Sequence, residues 1–194
     1  MMAIMSRIEY QKSVARDPLN VTHERNRRTT PLSAYNCGGL ALGVFDWFTP
    51  YITTGNTNFR IDGLYTDDER ETLIHTLYER DWSVEDIEAE ITRRDVDYLL
   101  EEYPFLEEVN LEDCDPDEMI IAYRMFVRFD DDIGEIEDTD FHFKVRYHGF
   151  WFEKMGSENI TTCELKPDEV WQYRDEYTRY TGPIVYFRTR RTVL

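Results

Sequence analysis

Asp140-Phe141-His142-Phe143-Lys144-Val145-Arg146-Tyr147-His148-Gly149-Phe150-Trp151-Phe152-Glu153-Lys154 reads as a β-hairpin, and its alternation decides the fold class. From Thr139 onward, Phe141, Phe143 and Val145 fall on one side of a strand and His142, Lys144 and Arg146 on the other. His148-Gly149 supplies a two-residue turn, which pairs Tyr147 with Phe150 and Lys144 with Glu153. Glu153 then shares a face with Lys144 and stands diagonal to His142. A slip of one residue would turn Glu153 to the opposite face.

Working outward, Met119 to Phe129 is rich in Ile, Tyr, Phe and Val and reads as a strand, as does Ile184 to Arg190. Upstream, Thr66 and Glu69 form a capping-box pattern ahead of a helix carrying Leu73, Ile74, Leu77 and Tyr78. Ser83 with Asp86 starts a second helix, whose apolar positions Ile87, Ile91, Tyr98 and Leu99 fit the helical period loosely, and Pro104 stops it. Residues 105–118 read as short helix or irregular chain, and 167–180 as helix. The first confident element begins near Asn36, with Leu40, Val44, Trp47 and Phe48 as a buried stripe ending before Pro50. Residues 53–65 carry the turn chemistry of a loop. The expected architecture is α+β: an N-terminal helix packed on an antiparallel sheet, with an acidic helical insertion at about 62–118. Residues 1–30 form a polar, basic arm, partly helical around Ser6 to Val14, and 31–194 a single domain.

The chain has 194 residues and a formal net charge of −18. Residues 61–140 hold 29 acidic and 6 basic side chains, a local charge of −23, so the remainder is basic. Such a field repels phosphates and disfavours nucleic acid, while it steers a cationic substrate or partner inward. With no run of about 18 apolar residues, no membrane span is expected. The opening Met1 to Arg7 is too short for a signal sequence, which points to a cytoplasmic location. Cys37, Cys114 and Cys163 lie at long spacings without a CxxC, so neither a zinc ribbon nor a disulfide framework is expected. The acidic runs 113–118 and 130–135 lack the ligand spacing of a calcium loop. No phosphate or dinucleotide fingerprint is present, and no cofactor is expected.

Tyr35-Asn36-Cys37-Gly38-Gly39-Leu40-Ala41-Leu42 is the segment that pairs chemically with the hairpin. If Asn36 or Ser33 caps the helix, Cys37 occupies its first position, where free N–H groups favour a thiolate. His142 is then the general base, and Glu153 the carboxylate that orients the imidazole. The Cys37 N–H, with the Asn36 or Tyr35 side chain as a second donor, would stabilise an oxyanion.

These blocks resemble the papain-like superfamily of NlpC type, which includes bacterial and phage peptidases and amidases. The likeness rests on Asn36, Cys37, Ala41 and Leu42, then Asp140, His142 and Phe143, then Gly149, Trp151, Lys154 and Gly156. It covers roughly 30 residues and implies a cysteine nucleophile at 37, a base at 142 and a polar third residue near 153. It departs at Glu153, where relatives more often carry histidine or a neutral group, and at Gly38-Gly39, where they carry bulkier residues. The expected activity is hydrolysis or acyl transfer at the amide bond of a peptide or protein. The alternative is a non-enzymatic acidic protein, an inhibitor or DNA mimic of phage type that binds a basic partner. The oligomeric state is left open.

Overall fold

Ile120–Phe129, ten residues rich in Ile, Tyr, Phe and Val, form one of the two central strands of a six-stranded antiparallel sheet. The computed structural model describes residues 22–25, 28–31, 35–43, 47–50, 66–130, 132–165, 169–172 and 179–189. In chain order its elements are β1 (Thr22–Arg25), β2 (Arg28–Pro31), α1 (Cys37–Ala41), α2 (Asp67–Tyr78), α3 (Val84–Glu102), β3 (Leu106–Val109) and β4 (Ile120–Phe129). There follow β5 (Ile136–Tyr147), β6 (Phe150–Lys154), β7 (Ile160–Cys163), β8 (Trp171–Gln172), β9 (Arg179–Tyr180) and β10 (Val185–Thr189). The main sheet runs β3-β10-β4-β5-β6-β7, while β1-β2 and β8-β9 are separate two-stranded ladders.

The β5–β6 hairpin has the register its sequence demands, with Tyr147 opposite Phe150 and Lys144 opposite Glu153. His148 and Gly149 hold φ angles of 49° and 76°, the left-handed pair that matches a tight turn to the twist of its strands. The helices α2 and α3 begin at Thr66 and Ser83, whose side chains accept the Glu69 and Asp86 amides.

One sheet face carries the main core. Ile121, Tyr123, Met125 and Val127 of β4 join Phe141, Phe143 and Val145 of β5 beneath residues from all three helices. At this interface Arg70 and Asp95 are buried together, with guanidinium and carboxylate 3.5 Å apart. Tyr123 donates to the same Asp95 oxygen. Arg70 also donates to the Thr139 hydroxyl at 2.7 Å, which in turn donates to the Phe126 carbonyl. Glu88 of α3 caps the edge of β4 where β10 has ended, accepting from the Val127 N–H at 3.0 Å and from the Thr181 hydroxyl at 2.6 Å. Its burial holds the carboxyl above its ordinary range.

The opposite face is covered too. Ala122 and Phe126 pack against Trp171 and Tyr180, with Trp151, Leu165, Ile184 and Tyr186 around them. Arg124 fastens this cover by donating to the carbonyls of Gly182, Glu169 and Thr181 at 2.6, 2.8 and 3.1 Å.

Three expectations change, and one pairing is added. The first helix ends at Ala41, and Gly43 adopts φ 71°, so the stripe through Trp47 and Phe48 is not helical. Residues 106–109 are strand, because they complete the sheet edge beside β10. Trp171–Gln172 pairs with Arg179–Tyr180 as a short ladder instead of helix. Within the N-terminal arm, Thr22–Arg25 pairs with Arg28–Pro31. The helix expected at Ser6 to Val14 and the loop at 53–65 lie outside the described residues.

Candidate functional site

Asn36 builds the Cys37 end of the site. As N-cap of α1 it accepts the Gly39 amide at 3.1 Å. It also takes the Phe48 amide at 3.1 Å and donates to the Phe48 carbonyl at 2.6 Å. One carboxamide thus caps the helix and bolts segment 47–50 to it. Phe48 lies against the helix: a Cβ on Gly38 would stand 2.2 Å from its ring. This steric demand explains the glycine directly after Cys37. Gly38→Ala should lower stability by about 1–3 kcal/mol through overpacking, read from urea unfolding. An unchanged midpoint would contradict this packing.

Cys37 is the first residue of α1 and is only 5% exposed. With five residues α1 has little macrodipole, so its contribution lies in the N–H groups of its first turn. The helix packs on β5 and β6. The register of the β5–β6 pair stops at Lys144 and Glu153, so His142 lies past the end of the ladder. There Cys37, on the helix packed against β5, acts on its ring electrostatically.

His142 is 2% exposed, and its Nε2 lies 3.4 Å from Glu153 Oε2, an ion-pair contact rather than a short hydrogen bond. The same carboxylate oxygen lies 3.2 Å from Lys144 Nζ. Tyr180 covers the imidazole with ring centres 5.3 Å apart, and Trp171 meets it edge-on at 6.1 Å. Tyr180 is fixed in turn by a 2.8 Å hydrogen bond to Asp140. Burial alone would push the imidazole down, but its interactions with Cys37 and then with Glu153 lift it to about 9. Burial raises Glu153, yet His142 and Lys144 together hold it below the ordinary carboxyl range. Cys163, half-buried near Glu153, is pushed up to about 12 chiefly by loss of solvent.

The raised His142 has a consequence for stability. A group whose folded-state value exceeds its unfolded value stabilises fully below the unfolded value, and that contribution is lost as pH rises through the folded one. This contribution should therefore fall between pH 6.5 and about 9. His142→Gln should flatten that decline in urea unfolding measured across the window, whereas an equally steep decline in the variant would rule out His142 as its source.

The structure brings Cys37, His142 and Glu153 together. It gives Asn36 a bracing task, and it places Tyr35, 1% exposed, under the ammonium of Lys154 at 4.9 Å from its ring. Sequence reasoning placed Lys144 on the His142 face without giving it a task, and missed Arg124, Trp171 and Tyr180 as surroundings of the imidazole. The alternation of β5 held a signal for Lys144, on the same face and two residues along. Trp171 and Tyr180, in a segment read as helix, gave none. Among the described residues no group of three or more His, Cys, Asp or Glu converges to hold a metal, and no helix is long and apolar enough to cross a membrane. Comparisons with protein-family models, curated proteins and solved structures find nothing that matches this chain.

Proposed function

We propose that the protein is a thiol-dependent hydrolase or acyl transferase of papain-like type, acting on an amide bond. The observation that supports this reading is a buried imidazole whose Nε2 faces Glu153 at 3.4 Å and which Cys37, on the helix packed against its strand, influences from the other side. With Nε2 turned to the carboxylate, Nδ1 is the nitrogen left to exchange a proton with sulfur.

Cys37 Sγ attacks the carbonyl carbon, forming a C–S bond while the carbonyl π electrons move to oxygen. The backbone N–H of Cys37 donates to that oxyanion. Protonated His142 gives its proton to the leaving nitrogen, the C–N bond breaks and a thioester remains. Water or an amine then attacks the thioester and gives a proton to neutral His142, and the tetrahedral adduct collapses to regenerate the thiolate. Glu153 keeps the imidazole oriented and stabilises its cation in both halves.

The charge of −23 over residues 61–140 favours a cationic peptide or protein as substrate. The same surface supports a second reading, an acidic protein that binds a basic partner without chemistry, whose complex would weaken steeply with salt.

The test is incubation with a panel of short peptide amides, glutamine and cell-wall-type amides in the presence of hydroxylamine. Wild type should release amine and yield the hydroxamate that reports a thioester, and Cys37→Ala should yield none. Equal hydroxamate from both proteins would contradict the reading.

A further inference from the structure

Lys144 stands next to the imidazole without a part in the chemistry above. Its side chain is 9% exposed, and its ammonium lies 3.2 Å from the Glu153 oxygen that also faces His142 Nε2 at 3.4 Å. A single oxygen therefore serves two cations. The ammonium also lies 4.9 Å from the centre of the Trp171 ring, whose neighbourhood includes Arg124 at 5.9 Å. Lys144 is thus fixed on two sides, and burying an ammonium without purpose would cost several kcal/mol by the general desolvation rule.

We propose that Lys144 is a positioning residue that divides the charge of Glu153, so that the carboxylate orients His142 without locking the proton on it. The proposal rests on the thiol reading above. In acyl transfer the imidazolium must surrender its proton to the leaving nitrogen, and a buried carboxylate devoted to it alone would oppose that step. A second cation on the same oxygen weakens that hold while keeping Glu153 ionised and directed.

The other charged and titratable groups around the ring are accounted for. Cys37 acts on it from α1 and Glu153 from β6, while Cys163 of β7 lies near Glu153 with its thiol pushed up to about 12. Asp140, two residues back on β5, is tied to Tyr180 of β9 at 2.8 Å. Arg124 of β4 is its cross-strand partner, but it spends its donors on the carbonyls of Gly182, Glu169 and Thr181. Lys144 alone of these shares the oxygen that His142 uses.

The experiment is a pH titration of the His142 ring by NMR in the full chain, assigned with His142→Gln. Replacing Lys144 by Met or Gln should raise the midpoint by roughly one pH unit, because a like charge is lost. Lys144→Arg should leave it near the wild-type value. Gln retains a hydrogen-bond donor toward Glu153, so a shift in both neutral variants assigns the effect to charge. An unmoved midpoint in folded Lys144→Gln would overturn the proposal, whatever the change in stability. The titration is independent of Cys37 reactivity. Loss of the thiol–imidazole pairing in alkylation would sink the hydrolase reading, while the midpoint would still report on Lys144.

Discussion

Asp95→Ala should lower the free energy of unfolding by about 3–5 kcal/mol, the range for removing one partner of a buried ion pair. Asp95 is fully buried and Arg70 is 2% exposed. One Asp95 oxygen faces the Arg70 guanidinium at 3.5 Å and accepts from the Tyr123 hydroxyl, so the truncation takes a carboxylate from both. Three elements meet there: α2 through Arg70, α3 through Asp95 and β4 through Tyr123. The variant should therefore loosen the helices from the sheet rather than fray a surface. The double variant Arg70→Met with Asp95→Ala should recover much of the loss, since no uncompensated guanidinium remains buried. Urea unfolding of the three proteins checks this. A loss below about 1 kcal/mol for Asp95→Ala would mean that the pair is not the staple between helices and sheet.

The same residues explain which parts of the fold the sequence discloses. The β5–β6 register was legible because alternation and a His-Gly turn agree, and local agreement across levels is what specifies a strand pair. The caps of α2 and α3 were legible for the same reason: Thr66 with Glu69 and Ser83 with Asp86 are short-range chemistry. The loose period of α3 had a cause that no local rule contains. Its buried face includes Glu88, Thr92 and Asp95 beside Ile87, Ile91, Val96 and Leu99. Those acids look like solvent positions until β4, Arg70 and Thr181 supply their partners. Likewise nothing local marks His142 and Lys144 as buried, yet both are, because Trp171 and Tyr180 return from far along the chain to cover that face. The end of α1 was misread because Phe48 packs back on Gly38 from a non-helical segment, reproducing a helical spacing by tertiary contact. Of the site, Cys37, His142 and Glu153 could be named from sequence as residues that the fold brings near one another. Their cover and the divided charge on Glu153 could not.

The second large effect concerns Cys37 itself. On the proposed reading His142 is the base that activates Cys37, so reaction of the thiol at pH 6.5 depends on the imidazole. Removing the imidazole should slow alkylation of Cys37 there by about tenfold or more, allowing for the lower intrinsic nucleophilicity of a stabilised thiolate. Glu153→Gln should slow it less, since the carboxylate acts only through His142. Cys163 is the internal reference, because its thiol is pushed up to about 12 and is unaffected by the imidazole.

The decisive measurement is the rate of Cys37 carboxamidomethylation by iodoacetamide at pH 6.5, mapped by mass spectrometry in wild type and His142→Ala. Fast labelling of Cys37 relative to Cys163, falling about tenfold or more in the variant, is the result expected of a thiolate–imidazolium pair. Slow labelling of Cys37, equal in the two proteins, would contradict the assignment of this site to thiol chemistry.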